Sequence, residues 1–159
     1  MLLLNSVLKI SKVMQSIAAV ALTLIIFLTT TDVVLRIFAE PIPGAYEIIA
    51  LCGGVVSAFI LPITSWMKGH IIVDLLTDKF SEKSKKVLLI ITRCIGIGLA
   101  LLICRAFMKI GGNFLRAGEV TGTLKLPLYP IFYALSVSFV MLSIILFCEI
   151  FKIVGGKND

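Results

Sequence analysis

Few ionisable side chains in this sequence are spaced for chemistry, and the clearest pair is His70 with Asp74. The two residues are four apart, so a helix places them on one face, where they can form a hydrogen bond. No Ser/His/Asp arrangement can be assembled around them. A structural His–Asp contact at the end of an apolar stretch is therefore a better interpretation than a catalytic pair.

The sequence also lacks the ligands that metal and haem sites need. His70 is the only histidine, whereas a zinc site takes three or four ligands and a haem anchor needs His or Met pairs at matched depth. The four cysteines lie within apolar stretches and have no C-x-x-C spacing. No P-loop is present. We therefore expect no cofactor, no metal, no catalytic residue and no enzymatic activity.

Other charges lie near the ends of the apolar stretches, where several pairings are open. Asp32 and Arg36 are spaced to pair along one helix, and Glu47 opens the next one, where a carboxylate complements the positive helix end. Glu47 is either a helix-end charge at the membrane interface or a partner of Arg36 or Arg105 that fixes helix register. Arg93 lies about two turns inside the third stretch, where it can snorkel or pair with a carboxylate.

Composition and hydropathy place all these residues in a membrane protein. The chain of 159 residues is 59% hydrophobic and 15% charged, with a mean hydropathy of +1.10. Its apolar residues form long runs, and about 20 such residues cross a bilayer core of about 30 Å. We predict a single all-α membrane domain over residues 1–159, with four transmembrane helices at about 13–38, 46–67, 87–110 and 126–148.

The segment between the second and third spans predicts a short amphipathic helix at about residues 70–80. Its apolar residues share one helical face, as in a helix lying on the membrane surface, although an ordinary charged loop is the alternative. Gly111 and Gly112 are expected to end the third span, and Pro127 to begin the fourth. Small residues that repeat every fourth position predict helix-packing faces: Ala50, Gly54 and Ala58 in the second span, and Gly96 and Ala100 in the third.

Loop charges predict the orientation of the chain. Lysines and arginines are more frequent near both termini and in the second loop than on the other side, which places both termini in the cytoplasm. The net charge of +6 is distributed between apolar spans, which favours contact with lipid over nucleic acid. No acidic residue lies at the middle of a span, although ion-coupled carriers usually need polar groups there. The chain is expected to assist a carrier.

Several motifs resemble one family over about residues 31–147. They are Arg36, then Pro43 and Glu47 opening the second helix, the stretch GHIIVD at 69–74, Gly118, Thr121, and LPLY at 126–129 with Tyr133. This pattern resembles the small, Q-type (DctQ-like) membrane subunit of tripartite ATP-independent periplasmic (TRAP) transporters. The chain departs from the family at residues 134–136, where Ala134-Leu135-Ser136 stands in place of an expected proline.

The resemblance implies a non-catalytic subunit of a secondary transporter in the bacterial inner membrane. The large M-type subunit would carry an organic acid, such as a C4-dicarboxylate or sialic acid, driven by a sodium gradient. A periplasmic substrate-binding protein would deliver the substrate and dock on the outer loops. The candidate docking residues are Glu40, Arg116, Glu119 and Lys125, although a solvated loop is the simpler role for each. The alternative function is a membrane anchor of a redox enzyme, which the single histidine disfavours.

Overall fold

The structure is a computed structural model that describes residues 2–67 and 82–154. These residues form four helices: α1 (Leu2–Ile37), α2 (Ala45–Trp66), α3 (Glu82–Ala117) and α4 (Tyr129–Val154). Each contains a stretch long and apolar enough to cross a membrane, namely Val7–Ile37, Ala45–Trp66, Val87–Ala117 and Tyr129–Phe151. The prediction of an all-helical chain with four helices long and apolar enough to span a membrane is confirmed. The surface helix predicted at 70–80, with His70 and Asp74, lies outside the described residues.

Two predicted helix ends are wrong, and both lie around the α3–α4 loop. Gly111 and Gly112 do not end the third helix, which continues to Ala117 and is followed by Gly118 at φ +65°. In an apolar environment an unpaired backbone group is costly, so two glycines that would weaken a helix in water remain helical here. Pro127 lies before the fourth helix, and Pro130 occupies its first turn, where the missing N–H has no helical partner to lose.

The four helices pack in the order α1, α2, α4, α3. The main contacts join α1 to α2, α2 to α4 and α4 to α3, with a smaller contact between α1 and α4. Between α3 and α4, the ring of Phe107 lies 6.0 Å from that of Phe132 and 5.6 Å from that of Phe139. The bundle therefore resembles a layer with α1 and α3 at its edges, and large apolar side chains cover its outer faces.

The layer has two ends. The loop end carries the α1–α2 loop, residues 38–44, and the α3–α4 loop, residues 118–128. The terminal end carries the first turns of α1 and α3 and the last turns of α2 and α4. The sequence-predicted polar residues are distributed between these two ends and the outer face of α3.

Candidate functional site

Asp32 holds the α1–α2 loop against the last turns of α1. Its Oδ2 accepts a hydrogen bond from Arg36 Nε at 2.8 Å, and its Oδ1 accepts one from the backbone N–H of Ile42 at 2.9 Å. Asp32 is buried at 5% exposure. Both carboxylate oxygens are thus occupied within the chain. The spacing of Asp32 and Arg36 pointed to their pairing, but the bond to Ile42 carries no sequence signal.

Arg36 extends the same cluster onto α2. Its guanidinium lies 5.0 Å from the centre of the Tyr46 ring, which is a cation–π geometry. Gly44, immediately before α2, adopts φ +78°, a conformation that glycine tolerates and side chains strain against. The first turn of α2 is therefore fixed by contacts with both α1 and its own loop.

Glu47 joins the two loops at this end of the bundle. Its Oε1 accepts a hydrogen bond from the backbone N–H of Thr123 at 2.6 Å, and its Oε2 accepts one from that of Leu124 at 3.0 Å. Leu124 also packs directly over Gly44, where any β-carbon would clash. In the described part of the chain, Glu47 forms neither of the two expected ion pairs, with Arg36 or with Arg105. The carboxylate is committed to the backbone of the α3–α4 loop.

The α3–α4 loop has a defined shape of its own. Val120 and Pro127 form an antiparallel bridge. The backbone N–H of Thr121 donates to the Leu126 carbonyl at 2.9 Å, and the Leu126 N–H donates back to the Thr121 hydroxyl at 3.0 Å. Loops with such internal bonds and an anchoring carboxylate present their side chains in fixed positions.

The four candidate docking residues all lie at the loop end and are all exposed. Glu40 is in the α1–α2 loop, Arg116 is in the last turn of α3, and Glu119 and Lys125 belong to the α3–α4 loop. Lys125 has a left-handed backbone conformation, φ +51°, at the turn of that loop. Leu124 packs over Gly44, so the α1–α2 and α3–α4 loops that carry three of these charges lie side by side.

Arg93 and Glu149 form an ion pair between α3 and α4 towards the terminal end. Arg93 Nε lies 2.9 Å from Glu149 Oε2, and the two side chains are only 13% and 11% exposed. Pairing with a carboxylate was one of the two expectations for Arg93. Glu149 was missed as its partner, although its position at the end of the fourth apolar stretch was a usable signal.

The five predicted packing residues divide between buried and open positions. Ala58 and Ala100 are buried at 5% and 3% exposure. Gly96 lies against Leu146 of α4, with 3.2 Å from the position of a β-carbon to the Leu146 side chain. Ala50 is exposed, and a β-carbon at Gly54 would meet nothing within 4 Å. Around Ala50 and Gly54, the α2 face therefore leaves room that the described residues do not fill.

Ser138 compensates for the proline inside α2, a contact that sequence reasoning missed. Pro62 has no N–H, so the Ala58 carbonyl four residues earlier loses its usual helical donor. The Ser138 hydroxyl of α4 donates a hydrogen bond to that carbonyl. Ser138 is buried at 1% exposure. The orphan carbonyl was deducible from Pro62, but the identity of its donor depends on the α2–α4 packing.

Three acidic side chains of the described residues are used in contacts within the chain. Among residues 2–67 and 82–154, no group of three or more His, Cys, Asp or Glu side chains could hold a metal ion. Asp32, Glu47 and Glu149 are used in contacts that hold helices and loops together. Arg105 was expected at a helix end, but because α3 extends to Ala117 it lies twelve residues inside the helix and is exposed.

Comparison with known proteins agrees with this geometry. No curated protein and no solved structure matches the chain. A family model described as "Tripartite ATP-independent periplasmic transporters, DctQ component" matches residues 25–156. This range includes the last third of α1 and all of α2, α3 and α4. The match confirms the resemblance seen in the residues, and the chain belongs to the DctQ component family of TRAP transporters.

Proposed function

We propose that this small TRAP transporter subunit is a scaffold that holds the large M-type subunit in the bacterial inner membrane and helps dock a periplasmic substrate-binding protein. The large subunit moves an organic acid, such as a C4-dicarboxylate or sialic acid, using a sodium gradient. The loop end faces the periplasm, and both chain termini lie in the cytoplasm. Membership of the family supports the two partners in general, and the substrate class and the sodium coupling are proposed from the resemblance.

The observation that carries the scaffold role is the use of the chain's carboxylates. Asp32, Glu47 and Glu149 bind to groups of this chain and hold its loops and helices in place. A transport pathway needs polar groups that are free to bind and release a substrate or ion. A subunit in which these three carboxylates hold loops and helices together is suited to supporting a neighbour.

The docking role is supported by the shape of the loop end. Glu40, Arg116, Glu119 and Lys125 are exposed there, on two loops that Glu47 joins. Charges held in fixed positions can complement a soluble partner without the entropy cost of ordering a flexible loop. Such rim charges affect mainly the association rate and its salt dependence.

The scaffold role is tested by reconstitution in liposomes with the large subunit and the binding protein of the same transporter. With all three components, a sodium gradient should drive uptake of the organic acid. Omission of this chain should abolish uptake, and this chain alone should move no solute. Full uptake without this chain, or solute movement by this chain alone, would contradict the proposal.

The docking role is tested by charge reversal at the loop end. The combined variant Arg116→Glu, Lys125→Glu should raise the concentration of binding protein that gives half-maximal uptake by about tenfold, which corresponds to roughly 1.4 kcal/mol. Lys12→Glu is the matched control, because Lys12 is exposed on the N-terminal part of α1, at the opposite end. Equal half-maximal concentrations for wild type and the double variant would reject docking through these residues.

A further inference from the structure

One face of α3 points away from α4 and carries two positive charges. The residues of α3 that contact α4, such as Gly96 and Gly111, recur on one side of the helix. Arg105 and Lys109 lie on the other side and are exposed, as are Cys94 and Gly98 two to three turns earlier. α3 packs mainly against α4. This face, defined here as the Arg105 face, is therefore uncovered by the described helices.

Arg105 lies deep within the membrane-spanning part of α3. It is three residues from Leu102, the midpoint of the apolar stretch Val87–Ala117. Twelve residues separate it from Ala117, or about 18 Å at the rise of an α-helix. The neighbouring Cys104 contacts Ser136, which lies seven residues after the start of α4, or about 10 Å into that helix. When the apolar stretches of α3 and α4 cross a bilayer, both measures place Arg105 inside the hydrocarbon region.

A guanidinium at this depth needs a partner, because a charge exposed to lipid hydrocarbon is strongly disfavoured. The chain obeys this rule elsewhere, since Arg93 is paired with Glu149 and Arg36 with Asp32. Within residues 2–67 and 82–154, neither of these ion pairs involves Arg105, and no other carboxylate contacts its guanidinium. The missing partner therefore comes from outside this part of the chain.

The depth and the shape of the face favour a protein helix as the source of that partner. Lipid phosphates lie at the membrane boundary, whereas an acidic side chain on a transmembrane helix can lie at the depth of Arg105. A β-carbon at Gly98 would meet nothing within 4 Å, so a second helix can approach the α3 backbone closely there. The face thus combines a site of close approach with a deep unpaired cation.

We propose that the Arg105 face is the docking surface for a transmembrane helix of the large subunit, and that this helix presents an aspartate or glutamate carboxylate to Arg105. The proposal rests on the scaffold function above and assigns it to one helix face. It also predicts that the half-buried face of α2 around Gly53 and Gly54, where an added β-carbon would meet nothing within 4 Å, is not the principal docking surface.

The test is co-purification of the large subunit with tagged variants of this chain from membranes that contain both. Gly98→Leu and Arg105→Leu should each lower the recovered large subunit about tenfold or more, as expected for residues at an interface hot spot. Arg105→Lys keeps the charge and should retain most of the binding. Gly53→Leu is the matched control. A β-carbon at Gly53 would also meet nothing within 4 Å, but Gly53 lies on α2 and not on the Arg105 face.

The outcomes separate this proposal from the scaffold function. The thermal unfolding midpoint of each variant alone in detergent verifies that it is folded. If wild type retains the large subunit and Gly98→Leu and Arg105→Leu do so equally, the Arg105 face is rejected while the scaffold function stands. Loss of binding in Gly53→Leu alone would move docking to α2 and overturn the proposal.

Two further results are decisive. If Arg105→Leu leaves subunit binding unchanged but removes bound phosphatidylglycerol in native mass spectrometry, the partner of Arg105 is a lipid phosphate, and the proposal is overturned. If wild type itself fails to retain the large subunit, the scaffold function fails together with this inference.

Discussion

Ser138 and Pro62 provide a residue-scale test of how the α2–α4 contact is stabilised. Ser138→Ala should lower the free energy of unfolding by about 1–2 kcal/mol, because the Ala58 carbonyl then has no donor. In a Pro62→Ala background the restored N–H can bond to that carbonyl, so the same change should cost less. Unfolding titrations of the four variants in mixed micelles measure this coupling.

Ser143→Ala is the control for this cycle. Ser143 is also buried on α4, but its hydroxyl bonds to the Phe139 carbonyl of its own helix at 2.9 Å. That carbonyl keeps its helical N–H partner, so the change should have a smaller effect that Pro62→Ala does not alter. Strict additivity of Ser138→Ala and Pro62→Ala would show that the Ser138 hydroxyl does not replace the missing proline donor.

Glu47 should control the order of the α3–α4 loop. Glu47→Gln keeps the side-chain size but replaces one acceptor oxygen with an NH2 group, which would face the N–H of Thr123 or Leu124. Because hydrogen bonds to charged groups contribute about 1.5–3 kcal/mol, amide exchange at residues 121–125 should accelerate by roughly tenfold or more. Hydrogen exchange with mass spectrometry in micelles is the measurement.

Glu119→Gln is the matched control for Glu47, since Glu119 is an exposed residue of the same loop. It should leave the exchange rates at 121–125 unchanged. Equal protection in Glu47→Gln and wild type would mean that the internal bonds of the loop suffice and that Glu47 does not anchor it.

These residue-scale contacts show the limit of sequence reasoning at the site. Spacing alone indicated that Asp32 and Arg36 pair, because neighbours on a helix are four residues apart. The backbone N–H that donates to Glu47 and the backbone carbonyl that accepts from Ser138 could not be assigned from the sequence. Both groups are about 80 residues away along the chain. A backbone N–H or carbonyl carries no residue type that a sequence pattern can reveal.

At the scale of elements, the Arg93–Glu149 pair should fix α3 against α4. Replacing Glu149 with leucine leaves a buried guanidinium without its carboxylate and should cost about 3–5 kcal/mol of unfolding free energy. Arg93→Leu should be similarly costly. The double leucine variant removes both charges from an apolar environment, so it should be more stable than either single variant. A double variant whose loss equals the sum of the singles would contradict this account of the pair.

The helices themselves were largely predictable, whereas the helix ends around the α3–α4 loop were not. Hydropathy identifies the spans because a bilayer demands about 20 apolar residues in each. Gly111 and Gly112 were expected to end the third helix, as glycines often do in water. In α3 they allow close packing instead, since a β-carbon at Gly111 would come within 3.3 Å of the Phe132 side chain. A glycine can therefore indicate either the end of a helix or a close contact between two helices, and only the packing partner distinguishes these two cases.

At the scale of the whole molecule, the helical layer leaves both edge helices widely exposed. Large apolar side chains are exposed along α1 and α3, including Leu24, Phe27, Leu99 and Leu102. Lipid can cover such residues at little cost, but it cannot satisfy Arg105 at mid-depth. Between Lys12 and Asp32, α1 carries no charged residue, whereas the α3 edge carries a deep cation. This asymmetry argues that the two edges have different neighbours in the assembled transporter.

The proposed orientation of the layer in the membrane predicts which end a membrane-impermeant reagent can reach. Four consecutive spans place the two loops at one end and both termini at the other, and the lysines near the termini assign the terminal end to the cytoplasm. In a background with the four native cysteines replaced by serine or alanine, Glu119→Cys should react with a membrane-impermeant maleimide applied to spheroplasts. Lys12→Cys should react only after permeabilisation, since it lies on the other side. Both positions are exposed in the fold, so a difference in reactivity reports topology and not burial. Labelling of Lys12→Cys in intact spheroplasts would indicate the opposite orientation, in which the loop end could not meet a periplasmic protein.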